Sequence, residues 1–404
     1  MMDFHGHKRA RLVRAPGGTG GHAVHRSRWV MADSRTLLEN GWIHAFEGRI
    51  QAVGRGNPGR VMKDLPGNAE LVDHGSGLLM PPLVNAHTHL ELSALHRALP
   101  FDLGFEAWVK ALLEKREALG SQALIAGAET ALDALEGPVG EISTLGITLE
   151  PMRQAGTAGI FFQEQLGSRA MDDVTPEAGF PLSRSHAGHA PHTTAPELLT
   201  LLKAETRKAG LPFSLHLAES QAETDFIAGQ RGGWYDFLLS RGIDPERWPI
   251  GNKSPVAYAA ELGLLDAATL AVHLLRLESG DLEILENKRP KICLCPRSNQ
   301  NLHGRLPQVD LLVDKGLAPA LGTDSLASCD SLSLLDEMAF VRKHFPHLAP
   351  QTLVDMSTIN GARALGIDKD YGTLSPGKRA EILYIQVRAN HPEELIESVT
   401  HDAI

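Results

Sequence analysis

The chain has 404 residues, 43% of them hydrophobic and 22% charged, with a formal net charge of -10. That length accommodates two or three domains, or one large barrel with an accessory, and buries a core without staples. The acidic balance argues against a nucleic-acid partner or an anionic membrane surface; no apolar run approaches the ~18 residues of a bilayer span; and three cysteines (Cys293, Cys295, Cys329) cannot make a secreted disulfide framework, so a reducing cytoplasm is expected.

Residues 1–22 are rich in Gly, Arg and His, without periodicity, and read as a loose tail. No apolar stretch follows the basic start, so a cleaved signal is not expected. Over 23–81 come short pieces, WIHAFEG, RIQAVGRG, AELVDHG and GLLMPP, each punctuated by Gly or Pro, the mark of small β-structure with tight turns. A similar piece, GTLSPGKRAEILYIQV, returns late, so 23–81 and 368–404 are expected to pair as one composite β domain. Between them, over 82–367, eight strand-like segments follow: LVNAHTHLEL, VGEIST, GIFFQEQ, SHAGHAPH, FSLHLAES, LAVHLLRL, KICLCPRS and APALGTDS. Stretches with a helical apolar period lie between most of them, among them FEAWVKALLEKREAL, PELLTLLKAETRKAG, SPVAYAAELGLL and LSLLDEMAFVRKHF. The segment after GIFFQEQLG has no clear amphipathic helix. Eight such units in about 285 residues give the rhythm of a (β/α)8 barrel of the α/β class, with a doubly wound sheet as the alternative.

Nineteen histidines stand against nine Trp plus Tyr, and their placement decides what the excess means. His87 and His89, two apart on a strand, share a face and can converge on one ion at the barrel mouth. His216 ends a strand in PFSLHLAES, and Glu219 joins the same mouth only if the strand stops near His216. His273 sits in an apolar strand, where a hydrogen-bonded core histidine is the alternative. Asp324 closes APALGTD, where a turn or helix-capping aspartate is the alternative. These pieces end strands 1, 5, 6 and 8 of the count, and the bland readings would have to coincide at matching positions. Three neutral imidazoles and a carboxylate leave a divalent metal with an open position for water, whose pKa it lowers toward ~7. A nearby Glu that is not a ligand can carry protons.

LVNAHTHLE, HAPHTTAPELL, SLHLAES, LAVHLLRL, CPRSNQNL and LGTDSLAS, with the late NGARALGI and GTLSPGKRAEI, resemble the amidohydrolase superfamily, in its cytosine deaminase / chlorohydrolase-like branch. The resemblance implies a barrel with a small β-sandwich built from both chain ends. It implies that His87, His89, His216 and Asp324 ligate one divalent ion, zinc being expected and iron accepted by the same donors. By the same resemblance Glu219 is the proton shuttle, His273 and Asp324 help deprotonate the activated water, and His189 contacts substrate. The fourth strand, SHAGHAPH, carries no Lys to bridge two metals, so a mononuclear site fits. Departures from the family pattern are Pro82 for Gly, His192 for Tyr and Glu381 for Asp.

His-Leu-Glu-Leu-Ser, Cys-Pro-Arg-Ser-Asn and Gly-Thr-Asp-Ser-Leu-Ala-Ser are similar to aminodeoxyfutalosine deaminases, which implies a purine nucleoside bearing a carboxyphenyl ketone and release of ammonia. Arg297 can clamp that carboxylate or pair with a nearby Asp or Glu at the rim. Glu91 can accept from base or ribose, or support a ligand histidine. The rivals are S-adenosylhomocysteine, adenosine, guanine or 8-oxoguanine deamination and triazine dechlorination. A scaffolding barrel predicts gaps among the mouth residues, and there are none. The expected partner is a small heterocyclic substrate, with neither nucleic acid nor membrane, and a homo-oligomer is compatible with the sequence.

Overall fold

Short strands from both chain ends assemble one mixed sheet. A computed structural model describes residues 10–14, 21–67, 69–170, 174–251, 253–387 and 389–401. Its contacts separate two units, one of Met1–Asn85, Glu136–Pro138 and Ser333–Ile404, the other of Ala86–Leu135 and Val139–Leu332. In the first unit lie β1 (Ala10–Arg14), β2 (His22–Asp33), β3 (Thr36–Phe46), β4 (Arg49–Arg55), β5 (Glu70–Asp73), β6 (Leu78–Met80) and, from the far end, β15 (Glu381–Ile385). They form a seven-stranded sheet in the order β1-β15-β6-β2-β3-β4, with β5 alongside β2. β2 pairs antiparallel with β3 along its length. Its other edge is shared, Ala23–Arg26 with β5 and Trp29 and Val30 with β6. The core draws on both ends, packing Val30, Ile43, Ile50 and Leu79 with Leu374 and Ile382.

The loose tail expected over 1–22 needs correction where it is described. Ala10–Arg14 is a strand, registered antiparallel on β15 from Ala10↔Ile385 to Arg14↔Glu381. Five residues are too few for a periodic signal, and their partner lies at the other end of the chain. The remainder, 1–9 and 15–20, lies outside the described residues.

The eight apolar runs become the barrel strands β7 (Asn85–Thr88), β8 (Val139–Ser143), β9 (Gly159–Gln165), β10 (Leu182–Gly188), β11 (Phe213–Leu217), β12 (Thr269–His273), β13 (Lys291–Leu294) and β14 (Ala320–Leu321). Consecutive strands are neighbours through the sheet, with parallel registers from β8 to β14. β8, β9, β11 and β12 are buried along their whole length, as strands covered on both faces must be. Gly159 opens β9 at φ 133°, and a Cβ there would stand 2.0 Å from the Val139 carbonyl oxygen, so only glycine lets these strands meet. The ring closes through a parallel bridge between Thr88 and Asp324. Across that seam the amides of Thr323 and Asp324 both donate to the His87 carbonyl at 3.1 Å, and the His89 amide donates to the Asp324 carbonyl.

Helices fill the crossovers: α1 (Phe105–Leu132), α2 (Pro196–Ala209), α3 (Gln221–Ile227), α4 (Gly233–Ser240), α5 (Pro255–Glu261), α6 (Asp281–Lys288) and α7 (Pro296–His303), with α8 (Leu334–His344) in the first unit. α1 runs beyond the expected FEAWVKALLEKREAL. Gly120 at φ 72° breaks the helical path where that stretch ends, and a second helical piece continues to Leu132. Among the described residues, 166–181 form no helix between β9 and β10, in line with the weak pattern there. No described helix is long and apolar enough to cross a membrane.

Candidate active site

The strand ends bring imidazoles and carboxylates to the C-terminal mouth of the barrel. His87 lies on β7 and His89 just beyond it, His216 on β11, His273 at the end of β12, and Asp324 three residues past β14. His89 Nε2 stands 3.3 Å from His216 Nε2, and Asp324 Oδ1 is 3.6 Å from Nε2 of both His87 and His89. Donor atoms of His87, His89 and Asp324 all lie within 4.8 Å of one another, and so do those of His87, His216 and His273. The His216 Nδ1–H donates to the His189 carbonyl at 2.7 Å, which leaves Nε2 as a lone pair facing His89. Burial pushes the His87 pKa down to about 4; burial, with the His87 ring beside it, takes His89 to about 3. Both rings are therefore neutral near pH 7. Asp324 Oδ2 accepts from the Ser298 and Ser328 hydroxyls, so Oδ1 is left for the histidines. Buried imidazole nitrogens converging with a carboxylate oxygen are a donor set for zinc or ferrous iron, and His87, His89, His216 and Asp324 fit one such ion.

Glu219 reaches the mouth because strand alternation breaks at the residue before it. β11 ends at Leu217, and Ala218 turns the chain at φ 54°. Capping of α3 falls to other residues: Ser220 accepts from the Glu223 amide, and Glu223 accepts from the Ala218 and Glu219 amides at 3.0 and 2.8 Å. This is an S-x-x-E capping arrangement that leaves the Glu219 side chain free to face the cavity. Burial pushes the Glu219 carboxyl up, but the His273 ring and the His303 hydrogen bond outweigh it and hold the group below the usual carboxylate range. His273, at φ 77°, stands with Nε2 3.7 Å from Glu219 Oε1. The Asn299 side-chain amide hydrogen-bonds its Nδ1 at 3.1 Å. Positive φ at Ala218, His273 and Asp324, none of them glycine, places backbone strain at the site.

His89, His216, Glu219, His273 and Asp324 line a cavity of about 220 Å³. Phe105, Trp108, Leu112, Trp234, Phe237 and Ile243 make an apolar wall, and Arg116 and Arg241 supply positive charge. His189 lines the cavity with Nδ1 2.6 Å from the Thr193 hydroxyl. His192 lies against Trp234, ring centroids 5.2 Å apart. Glu91 also faces the cavity, but its oxygens already accept from the Ser143 hydroxyl and the Thr144 and Leu145 amides.

Arg297 is not brought to this cavity. Its guanidinium donates to Asp330 Oδ1, the Ser331 hydroxyl and the Ser331 carbonyl at 2.9 to 3.0 Å, so it closes the rim and the carboxylate-clamp reading of it is corrected. Three groups at the site are not assigned to it from the sequence, which places Glu164 on strand 3 of the count and sets it aside. Glu164, near the end of β9, is buried; Oε2 accepts from the Thr144 hydroxyl, while Oε1 has no hydrogen-bond partner among the described residues. A carboxylate at the end of so apolar a strand was the available signal. Arg116 continues the cavity face of α1 from Phe105, Trp108 and Leu112. His303 shares a face of α7 with Asn299, four residues earlier.

A buried imidazole and carboxylate cluster at the C-terminal mouth of a parallel eight-stranded barrel defines a hydrolase site of the metal-assisted type. The sequence pattern of the Amidohydrolase family matches residues 78–403, and the chain belongs to that family. It is similar to a 5-methylthioadenosine/S-adenosylhomocysteine deaminase of Nitratidesulfovibrio vulgaris (strain DP4), at 29% identity over 91% of this chain and 84% of that one. It is also similar to the aminodeoxyfutalosine deaminase of Deinococcus radiodurans, at 29% identity over 77% of this chain and 78% of that one. The crystal structure of Helicobacter pylori aminofutalosine deaminase with methylthio-coformycin superposes with a TM-score of 0.80 at 20% identity, covering 94% and 96% of the two chains, a likeness of fold.

Proposed function

We propose that the chain hydrolyses the 6-amino group from an adenosine-type nucleoside, releasing ammonia, and that its substrate is 6-amino-6-deoxyfutalosine. The observation that carries this reading is the cavity itself. The Glu219 carboxylate stands beside the imidazole cluster, and an aromatic wall with Arg116 and Arg241 suits a bulky apolar 5′ substituent ending in a carboxylate. The relatives named for nucleoside deamination support the same class.

His87, His89, His216 and Asp324 would hold a divalent ion, which would supply Lewis acidity and ionise a water near neutral pH. The chain's own groups move the protons. Glu219, ionised at rest, takes one proton from the water and delivers it to the purine N1 as the oxygen attacks C6, which makes that carbon more electrophilic. His273 and Asp324 help remove the water's protons; the second passes to the 6-amino group, which leaves the tetrahedral carbon as ammonia. His189 orients the base, and the aromatic wall keeps bulk water from the charged groups.

The test is ammonia release from a panel of 6-amino-6-deoxyfutalosine, S-adenosylhomocysteine, 5-methylthioadenosine, adenosine, guanine and a chlorotriazine. The futalosine derivative is expected to show the highest kcat/KM. A preference for S-adenosylhomocysteine would move the substrate within the class, and chloride release without ammonia would sink the class. E219Q is expected to keep wild-type metal content and lose about 10²–10⁴-fold in kcat; near wild-type turnover would remove Glu219 from its role.

A further inference from the structure

Beyond the groups that face substrate, one buried histidine grips the proton carrier from behind. His303 ends α7, and its Nε2 lies 3.3 Å from Glu219 Oε1. A carboxylate only accepts, so Nε2 carries the hydrogen and donates it. His303 does not line the cavity, and its side chain is 3% exposed. Its ring is seated against Phe105, centroids 4.6 Å apart, and Phe105 in turn forms part of the cavity wall. Gly304 at φ 60° ends the helix immediately after it, which fixes where the ring emerges.

We infer that His303 is a positioning residue for the reaction proposed above: it pins one oxygen of Glu219 through Nε2–H···Oε1, so that the other oxygen is presented for proton transfer. The geometry around Glu219 argues for this division of labour. Its amide is tied to Glu223, and its Oε1 faces His303 at 3.3 Å and His273 at 3.7 Å. A glutamate side chain has three rotatable bonds, and fixing the amide alone leaves the carboxylate free to swing. The second hold at Oε1 removes that freedom, as a supporting hydrogen bond must if a reacting group is to stay in register. α7 thereby serves both proton-handling groups from one face, Asn299 holding His273 and His303 holding Glu219. Because this inference rests on the deaminase reading, its test has to separate the two.

The experiment compares wild type, H303A, H303Q, H303N and E219Q, alone and as the E219Q/H303A pair, with ammonia release and bound metal measured on each. Glutamine carries an amide N–H at the reach of Nε2, whereas asparagine carries it at the reach of Nδ1. H303A and H303N are expected to lose about 10–100-fold in kcat with KM changed less than about threefold and metal content unchanged. H303Q is expected within about fivefold of wild type, and H303A is expected to cost nothing further once Glu219 is already Gln. If alanine empties the seat beside Phe105 and the chain does not fold, the H303Q and H303N pair carries the comparison. Full activity in H303A, H303Q no better than H303N, loss of metal, or multiplying losses in the double variant would each overturn the inference while leaving the deaminase reading standing. A wild-type chain that releases no ammonia from any nucleoside overturns both.

Discussion

Asp324 divides its oxygens between two duties, Oδ2 toward the Ser298 and Ser328 hydroxyls and Oδ1 toward His87 and His89. Arginines divide in the same way. Arg297 is spent on Asp330 and Ser331, while Arg116 lines the cavity, 3.6 Å from Glu91 Oε1. R116A is therefore expected to cost about 10-fold or more in kcat/KM on a carboxylated nucleoside relative to adenosine. R297A should lower thermal stability and depress both substrates alike, and a carboxylate-selective loss in R297A would reverse the assignment. The difference between these arginines explains what could be read in advance. His87, His89, His216, His273 and Asp324 announce themselves as polar residues ending apolar strands, because a barrel sends every strand end to one mouth. Arg297 sits in a motif beside that mouth, but a long side chain chooses its partner in three dimensions, and Asp330 lies 33 residues away. Glu164, Arg116 and His303 acquire their meaning only from neighbours brought in by other strands and helices.

Between strands, the histidines of the first unit form pairs. His25 on β2 bonds His74, just past β5, with Nδ1 and Nε2 3.0 Å apart, and His22 bonds His44 of β3 at 2.9 Å. Burial, helped by His74, pushes the His25 pKa down to about 4. Burial, helped by Arg11, lowers His74 too. Above pH 6.5 neither state of the chain binds the proton, and these pairs cost nothing. As the pH falls from 6.5 toward 4, the unfolded chain takes up a proton that the folded His25 refuses, so stability falls, by on the order of 3 kcal/mol for a shift of this size. Glu136, pushed up to about 7 by burial, works in the opposite sense, gaining a proton in the folded state as pH falls from 7 to its ordinary range. H25L/H74L isolates the first contribution. Its denaturation midpoint is expected to drop less than wild type's between pH 6.5 and 4.5, and parallel curves would show that the folded pair takes up protons as readily as the unfolded chain. At this scale the eight barrel strands were all legible, since each lies in or beside a largely buried strand-like segment. β1 was not, because a five-residue edge strand owes its existence to β15.

For the whole molecule, ion binding and folding are expected to be linked, since the donor atoms come from β7, β11 and the segment after β14. An ion bound at a thousand times its dissociation constant stabilises the native state by about 4 kcal/mol. Chelation of the wild-type protein is expected to lower Tm by several degrees, with no such fall in H216A; an unchanged wild-type Tm would remove the ion from the cluster. The barrel's seam carries a further consequence, one of time. Thr88 and Asp324 meet across 236 residues of chain, and the bonds that close the ring run through the backbone of His87, His89 and Asp324 themselves. At about 5–20 residues per second, a ribosome needs roughly 12–47 s to travel from one side of that seam to the other. Throughout that interval the first two histidines exist without their carboxylate, so the closing of the barrel is also the step that brings that carboxylate to them.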